Sequence, residues 1–329
     1  MRKVKNLILT FDYEVFLGQQ TGNIVKSVIR PTDQILRVLK QNNARAIFFV
    51  DTTWLLFLKG NFYEDFKLVS LQLKDIIESG SSVELHLHPQ WLKAYRKGDK
   101  IVFGSDENYR LHSLSQDNIV DLFNKSIELL ESITLQKIQC FRAGGFCIEP
   151  FEQVKRAFEI TGIKYDFSVV PGMFLRGGNE YDFDFSDVQD IPFYHFQNDI
   201  KKPDPKGNFI EIPLSIYQNN PFYRLTNKLL LKLNKDKIFG DGKGIQEKSH
   251  FFLRSLSRRI AVSKAFLTID NTNSRFFKYL LKFHFADHYI LVIISHPKTL
   301  SRQALINLLL VTQKYITLNS GNLSDLLIS

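Results

Sequence analysis

Cysteine occurs only twice in the 329 residues, at Cys140 and Cys147. Two thiols cannot build a disulfide framework, and their scarcity suits a reducing compartment. Long apolar runs are missing too. No window approaches 18 uninterrupted apolar residues, so no helix is expected to span a membrane. The opening stretch MRKVKNLILTFDYE places positive charges ahead of apolar residues, as a secretion signal does. Its apolar run lasts only from Leu7 to Phe11, with Thr10 inside it, before Asp12 stops it. That is shorter than the usual signal core of about 7–15 residues. These absences predict a cytoplasmic protein. No internal repeat or low-complexity tract interrupts the chain.

What is present is a globular composition, 44% hydrophobic and 23% charged, long enough for one large domain or two ordinary ones. Short apolar runs alternate with helical patterns. Candidate strands are 6–11, 46–50, 83–88, 137–141, 163–170, 190–196, 209–214 and 289–295. Helical periodicity opens at Pro31-Thr32 and recurs over about 63–79, 119–130 and 150–161. Strands separated by helices predict βαβ units and a parallel sheet.

The stretch VELHLHPQW (83–91) alternates apolar and polar residues, so His86 and His88 share one face of a strand. Their Cα atoms would lie roughly 6–7 Å apart, at about 3.3 Å per residue. A strand with one wet face is the plain alternative. However, the strands of a parallel sheet are covered on both faces, and α/β folds build their sites at strand C-terminal ends. Six predicted strands end in polar groups: Asp12 and Glu14, Asp51, His86 and His88, Arg142, Asp166, and His296. Imidazole and carboxylate suit a zinc-like ion, with three protein ligands and one open position. His86, His88 and either Asp12 or Glu14 would supply that set. Taken singly, FDYEVF reads as a solvated acidic turn, Arg142 as a surface ion pair, and His296 as a structural histidine.

LTFDYE, HLHPQW, FRAGGF, YDFSVVPG, IEIPLS and IISHPKTL occur in the order found in polysaccharide deacetylases. The chain resembles that family, carbohydrate esterase family 4, over about 5–215 and 285–320. It looks like the divergent branch tied to surface-polysaccharide biosynthesis. The resemblance implies an α/β fold, an incomplete (β/α) barrel of about seven strands, spanning 1–329 as one domain. It also implies a metal-dependent hydrolase that removes N-acetyl groups from a sugar or glycan precursor. Asp12 would be the general base, Arg142 its holder and His296 the acid. Glu14, His86 and His88 would bind one divalent ion, zinc by preference. In the family the second metal histidine stands four residues after the first, where this chain has Gln90, so His88 is its substitute. Asp166 would help hold Arg142. Hydrolysis of another amide or an O-acetyl ester, or glycan binding without catalysis, are the alternatives.

One segment falls outside this pattern. Residues 221–260 hold ten basic residues against three acidic ones, a net +7 of the chain's +9. They predict a basic, mostly helical insertion at about 216–265, with YRLTNKLLLKLNK an amphipathic helix and GDGKG a turn. Such a segment is either a solvated surface or a contact for a phosphate- or lipid-linked glycan precursor at the inner membrane face. Nucleic acid is not expected, because no recognised nucleic-acid motif accompanies the charge.

Overall fold

The computed structural model describes residues 6–18, 20–98, 100–104, 110–175, 182–244, 263–287 and 289–324. The main sheet is built from β1 (Asn6–Tyr13), β2 (Ile47–Asp51), β3 (Ser82–Leu87), β4 (Cys140–Ala143), β5 (Tyr165–Asp166), β6 (Tyr194–Phe196), β7 (Phe209–Glu211), β8 (Ile290–Ser295) and β9 (Ile316–Leu318). Eight of them follow the order β6-β7-β5-β4-β3-β2-β1-β8, and β9 pairs with β1. The sheet curls into a half-barrel, the incomplete barrel expected from the motifs. Strands β1 and β8 run parallel from Asn6↔Ile290 to Phe11↔Ser295. Along the other edge of β1, β9 takes residues 6–8 and β2 takes residues 10–13. One strand is antiparallel rather than parallel: β6 returns along β7. The loop 197–208 joins them without a crossover helix, the usual means of making neighbouring strands parallel.

The helices are α1 (Arg30–Gln41), α2 (Thr52–Asn61), α3 (Tyr63–Glu78), α4 (Gln116–Thr134), α5 (Glu152–Thr161), α6 (Pro221–Leu233), α7 (Ser274–Asp287) and α8 (Arg302–Thr312). None among the described residues is long and apolar enough to cross a membrane. Strands β2, β3 and β4 are buried at every position, as strands covered on both sides must be. A wet face on VELHLH is therefore ruled out. In the first half of β3, Glu84 accepts from the amides of Gln139 and Cys140 at 2.9 and 2.8 Å. Burial pushes its pKa up to about 7, against the pull of those hydrogen bonds.

The ends of the basic segment meet in an antiparallel ribbon, Ile216–Asn219 with Ser263–Phe266. Between them, α6 is capped by the Asn220 side chain, which accepts from Tyr223 N, and starts with Pro221. Residues 245–262, with Lys248, Arg254, Arg258 and Arg259, lie outside the described residues.

Candidate metal and catalytic site

The C-terminal ends of β1, β3 and β8 converge on a cavity of about 350 Å³ lined by Asp12, Glu14, His86, His88 and His296. Glu14 stands one residue past β1, His88 one past β3 and His296 one past β8. Strand registry also brings Arg142 of β4 beside His86. Two of the expected strand endings do other work. Asp51 caps α2 and accepts from Trp54 N at 3.2 Å, while Asp166 accepts from Ser168.

Glu14 Oε2 lies 2.7 Å from His88 Nε2 and 3.7 Å from His86 Nε2. Yet none of these three buried atoms has a hydrogen-bond partner. The three atoms face one common point. The two imidazole planes stand at 85°, and all three donor atoms lie within 4.8 Å of one another. Two imidazoles and a carboxylate in this disposition fit a divalent ion. His86 Nδ1 lies 2.7 Å from the carbonyl oxygen of Arg142, so its proton is committed there and Nε2 presents a lone pair.

Gln90 does not enter the triad. It sits behind His88, with its amide nitrogen 3.3 Å from Nδ1 and its buried Oε1 unpartnered. Turning that amide over sets Oε1 against Nδ1–H, the arrangement that frees His88 Nε2 for a cation. Thr53 fixes the backbone of His88, accepting from its N and donating to its O, both at 3.0 Å. Gly144 packs so closely that a Cβ there would stand 2.6 Å from His88 Nδ1. Only glycine allows that approach.

Charge in the cluster is balanced internally. Burial would raise the Glu14 pKa, but Lys298 and the two histidines outweigh it and hold the carboxyl well below its ordinary value. Burial would lower His86, but Asp12, Glu14 and Asp51 leave it raised. For Asp12 burial is likewise outweighed, chiefly by Arg142 and then by His86 and His296, so its pKa is lowered.

Arg142 is fully buried. Its Nη1 is 2.5 Å from Asp12 Oδ1, its Nη2 donates to Thr10 Oγ1 at 2.9 Å, and its Nε donates to Phe167 O at 3.1 Å. Phe49 lies under the guanidinium at 4.3 Å. Thr10 and the Phe167 carbonyl therefore hold it by hydrogen bonds, whereas Asp166 acts on it through charge alone. His296 Nε2 is 3.7 Å from Asp12 Oδ2 and 3.8 Å from Glu14 Oε1.

Two residues of this site are absent from the sequence expectation. Asp270 sits behind His296, with Oδ2 3.3 Å from Nδ1, and also accepts from Ser295 Oγ, Thr299 Oγ1 and His296 N. The signal for it is LTID (267–270), a further apolar run with an acidic end, which meets β8 through the bridge Thr268↔Ile294. Lys298 donates to Glu14 Oε1 at 2.7 Å and to Val15 O at 3.2 Å. No family spacing marks it.

No family model and no curated protein matches the chain by sequence. Among solved structures, it is similar to a putative polysaccharide deacetylase from Mycobacterium smegmatis. The identity is 13% and the TM-score 0.52, covering 99% of this chain and 90% of that one. Weaker likenesses, too low to argue from, are to a CE4 family pseudoenzyme from Bacillus anthracis and a family 4 carbohydrate esterase from Streptomyces lividans. The first is 13% identical with a TM-score of 0.42, covering 98% and 66% of the two chains. The second is 14% identical with a TM-score of 0.32, covering 50% and 62%. The fold is thus the one the motif resemblance implies, that of a polysaccharide deacetylase.

Proposed function

We propose that the chain is a metal-dependent deacetylase that hydrolyses the N-acetyl group of a sugar or glycan precursor in surface-polysaccharide assembly. The observation carrying this reading is the 3.7 Å approach of His296 Nε2 to Asp12 Oδ2 beside the Glu14–His86–His88 triad. A divalent ion held by the triad, zinc by the chemistry of its donors, would polarise the acetamide carbonyl and acidify a water. Asp12, kept ionised by Arg142, accepts the water proton at Oδ2, the oxygen that Arg142 leaves free. His296, oriented by Asp270 at Nδ1, delivers a proton from Nε2 to the departing nitrogen. Acetate and a free amine leave. Phe16, Phe146 and Phe266 wall the cavity with apolar surface suited to the faces of a sugar ring. In this reading residues 1–329 act as one cytoplasmic unit, with an insertion at about 216–265.

Another amide or an O-acetyl ester would be cleaved by the same groups. Glycan binding without catalysis is the second reading, and Lys298 favours it, because its ammonium already neutralises Glu14. The deciding experiment is acetate release across a panel of N-acetylated sugars and conjugates, with metal content measured in parallel. Zinc-stimulated acetate release is expected. A metal-loaded chain that releases none would overturn the deacetylase, and a chain that binds glycan but no metal would install the second reading.

A further inference from the structure

Helix α6 buries none of its residues. Phe222, Leu225, Leu229 and Leu233 fall on one face, and they are 71, 70, 54 and 67% exposed. The other side is the anchored one. There the Tyr223 ring packs at a tilt against Phe276 and Tyr279, and Asn227 donates to Asn271 O and accepts from Asn273 N. The helix thus holds on largely by polar and aromatic groups, with Leu230 and Leu231 half-buried, and displays Phe222, Leu225, Leu229 and Leu233. Exposed Lys228 and Lys232 flank the apolar row, Lys235 follows, and no acidic residue occurs from Pro221 to Lys235. Beside it, α7 exposes Lys278, Tyr279, Lys282 and Phe283, again cations next to aromatic rings.

A straight, convex row of apolar side chains edged by cations matches an anionic bilayer surface, where the apolar groups enter the acyl boundary and the lysines meet lipid phosphates. The chain then runs from α6 back to the cavity. Phe239 N donates to Leu300 O at 2.8 Å, and Gly242 packs so tightly on Phe16 that a Cβ would stand 2.4 Å from its ring. Phe16 and Gly244 line the cavity. The membrane-facing helix and the site wall are therefore consecutive pieces of one segment.

We infer that α6 docks the protein on an anionic lipid bilayer, and that the site takes a glycan carried on a membrane lipid. The docking stands alone, whereas the substrate class rests on the deacetylase reading. The test uses the full chain and phosphatidylcholine vesicles with and without phosphatidylglycerol. Wild type should co-sediment only with the anionic vesicles. Lys228→Gln with Lys232→Gln should weaken that partitioning roughly thirtyfold, at about fivefold per lysine. Leu225→Ser with Leu229→Ser should weaken it at least as much. Both double variants should still release acetate at the wild-type rate from a detergent-dispersed conjugate, while losing the gain that vesicles give to a lipid-anchored one. Equal binding to both vesicle types, or variants that bind like wild type, would overturn the docking. So would self-association of wild type that the leucine variant dissolves, because the face would then belong to a second copy. Vesicle binding with no vesicle-dependent gain would overturn the substrate class alone. Vesicle binding with no acetate from any form would instead count against the deacetylase.

Discussion

The carbonyl oxygen of Arg142 lies 2.7 Å from His86 Nδ1, while the guanidinium of the same residue lies 2.5 Å from Asp12 Oδ1. One residue on β4 thus fixes the tautomer of a candidate metal ligand through its backbone and the charge of the candidate base through its side chain. Only the second contact is open to mutation. Arg142→Met should leave metal binding in place and raise the Asp12 pKa, because the largest group lowering it is gone. The acidic limb of the pH–rate profile should then move to higher pH. The loss of the buried ion pair should also cost about 3–5 kcal/mol of stability. An acidic limb that stays in place would show that Arg142 does not set the charge of Asp12.

Asp270 makes a separate prediction. Its carboxylate touches the Nδ1 side of His296, the side away from Asp12. Asp270→Asn should lower kcat while leaving metal content unchanged, because His296 loses the carboxylate that orients its ring at Nδ1. Asp12→Asn should instead retain metal and lose on the order of 10²–10⁴ in rate, the usual contribution of a general base. Unchanged turnover in Asp12→Asn or His296→Ala would sink the acid–base assignment.

Gln90 separates ligand from support. His86→Ala and His88→Ala should each empty the triad of metal. Gln90→Ala should still bind one equivalent, about 10–100-fold more weakly, as the loss of a group that orients a ligand does. Equilibrium dialysis against zinc reads all three. Full metal occupancy in His88→Ala alongside an empty Gln90→Ala would exchange their roles.

The convergence of these side chains is legible in the sequence for a definite physical reason. Buried strands read as apolar runs, so a polar residue at the end of one is conspicuous. Asp12, Glu14, His86, His88, Arg142 and His296 all announce themselves that way. The same signal overcounts. Asp51 ends β2 in order to cap α2, and Asp166 ends β5 beside Ser168 and Glu211, since a strand end is also where helix caps and buried hydrogen bonds are needed. It undercounts where the run pairs through a single bridge, as LTID does before Asp270. Strand β9 is invisible for a related reason. It is three residues long and, among the described residues, pairs only with the start of β1. Lys298 and Gln90 sit on turns after their strands, where no periodicity applies: family spacing marks Gln90 only as the place of a missing histidine, and the folded neighbourhood gives each its contacts.

Lys298 tests how the triad balances its charge. Its ammonium occupies Glu14 Oε1 from a position only 14% exposed. Lys298→Met removes a positive charge that a divalent ion would otherwise face nearby. Zinc affinity should therefore rise by at least about fivefold, the scale of unit charges near 4 Å in a high effective dielectric. The metal-free protein should become less stable, since Glu14 loses its partner. Chelator competition and thermal unfolding with and without zinc measure the two effects. Unchanged or weaker zinc affinity would mean that Lys298 positions Glu14 for the ion instead of opposing it.

Glu84, two residues before His86 on β3, offers a further prediction. It is fully buried, and its pKa is raised to about 7 from an ordinary 4.5. The folded state therefore holds a proton that the unfolded state releases between those two values. Stability falls with rising pH wherever the folded state binds more protons. The contribution from Glu84 is thus complete below about pH 4.5 and is lost as pH climbs to about 7, opposite to a salt-bridged carboxylate. At about 1.4 kcal/mol per pH unit, the loss is at most about 3.5 kcal/mol. Glu84→Gln cannot titrate, and its amide oxygen can still accept from Gln139 N and Cys140 N. The variant should lose less stability than wild type between pH 4.5 and 8, as read by denaturant unfolding across that range. A slope identical to wild type would mean that Glu84 is already ionised in the fold, held by its two backbone amides more strongly than burial opposes it.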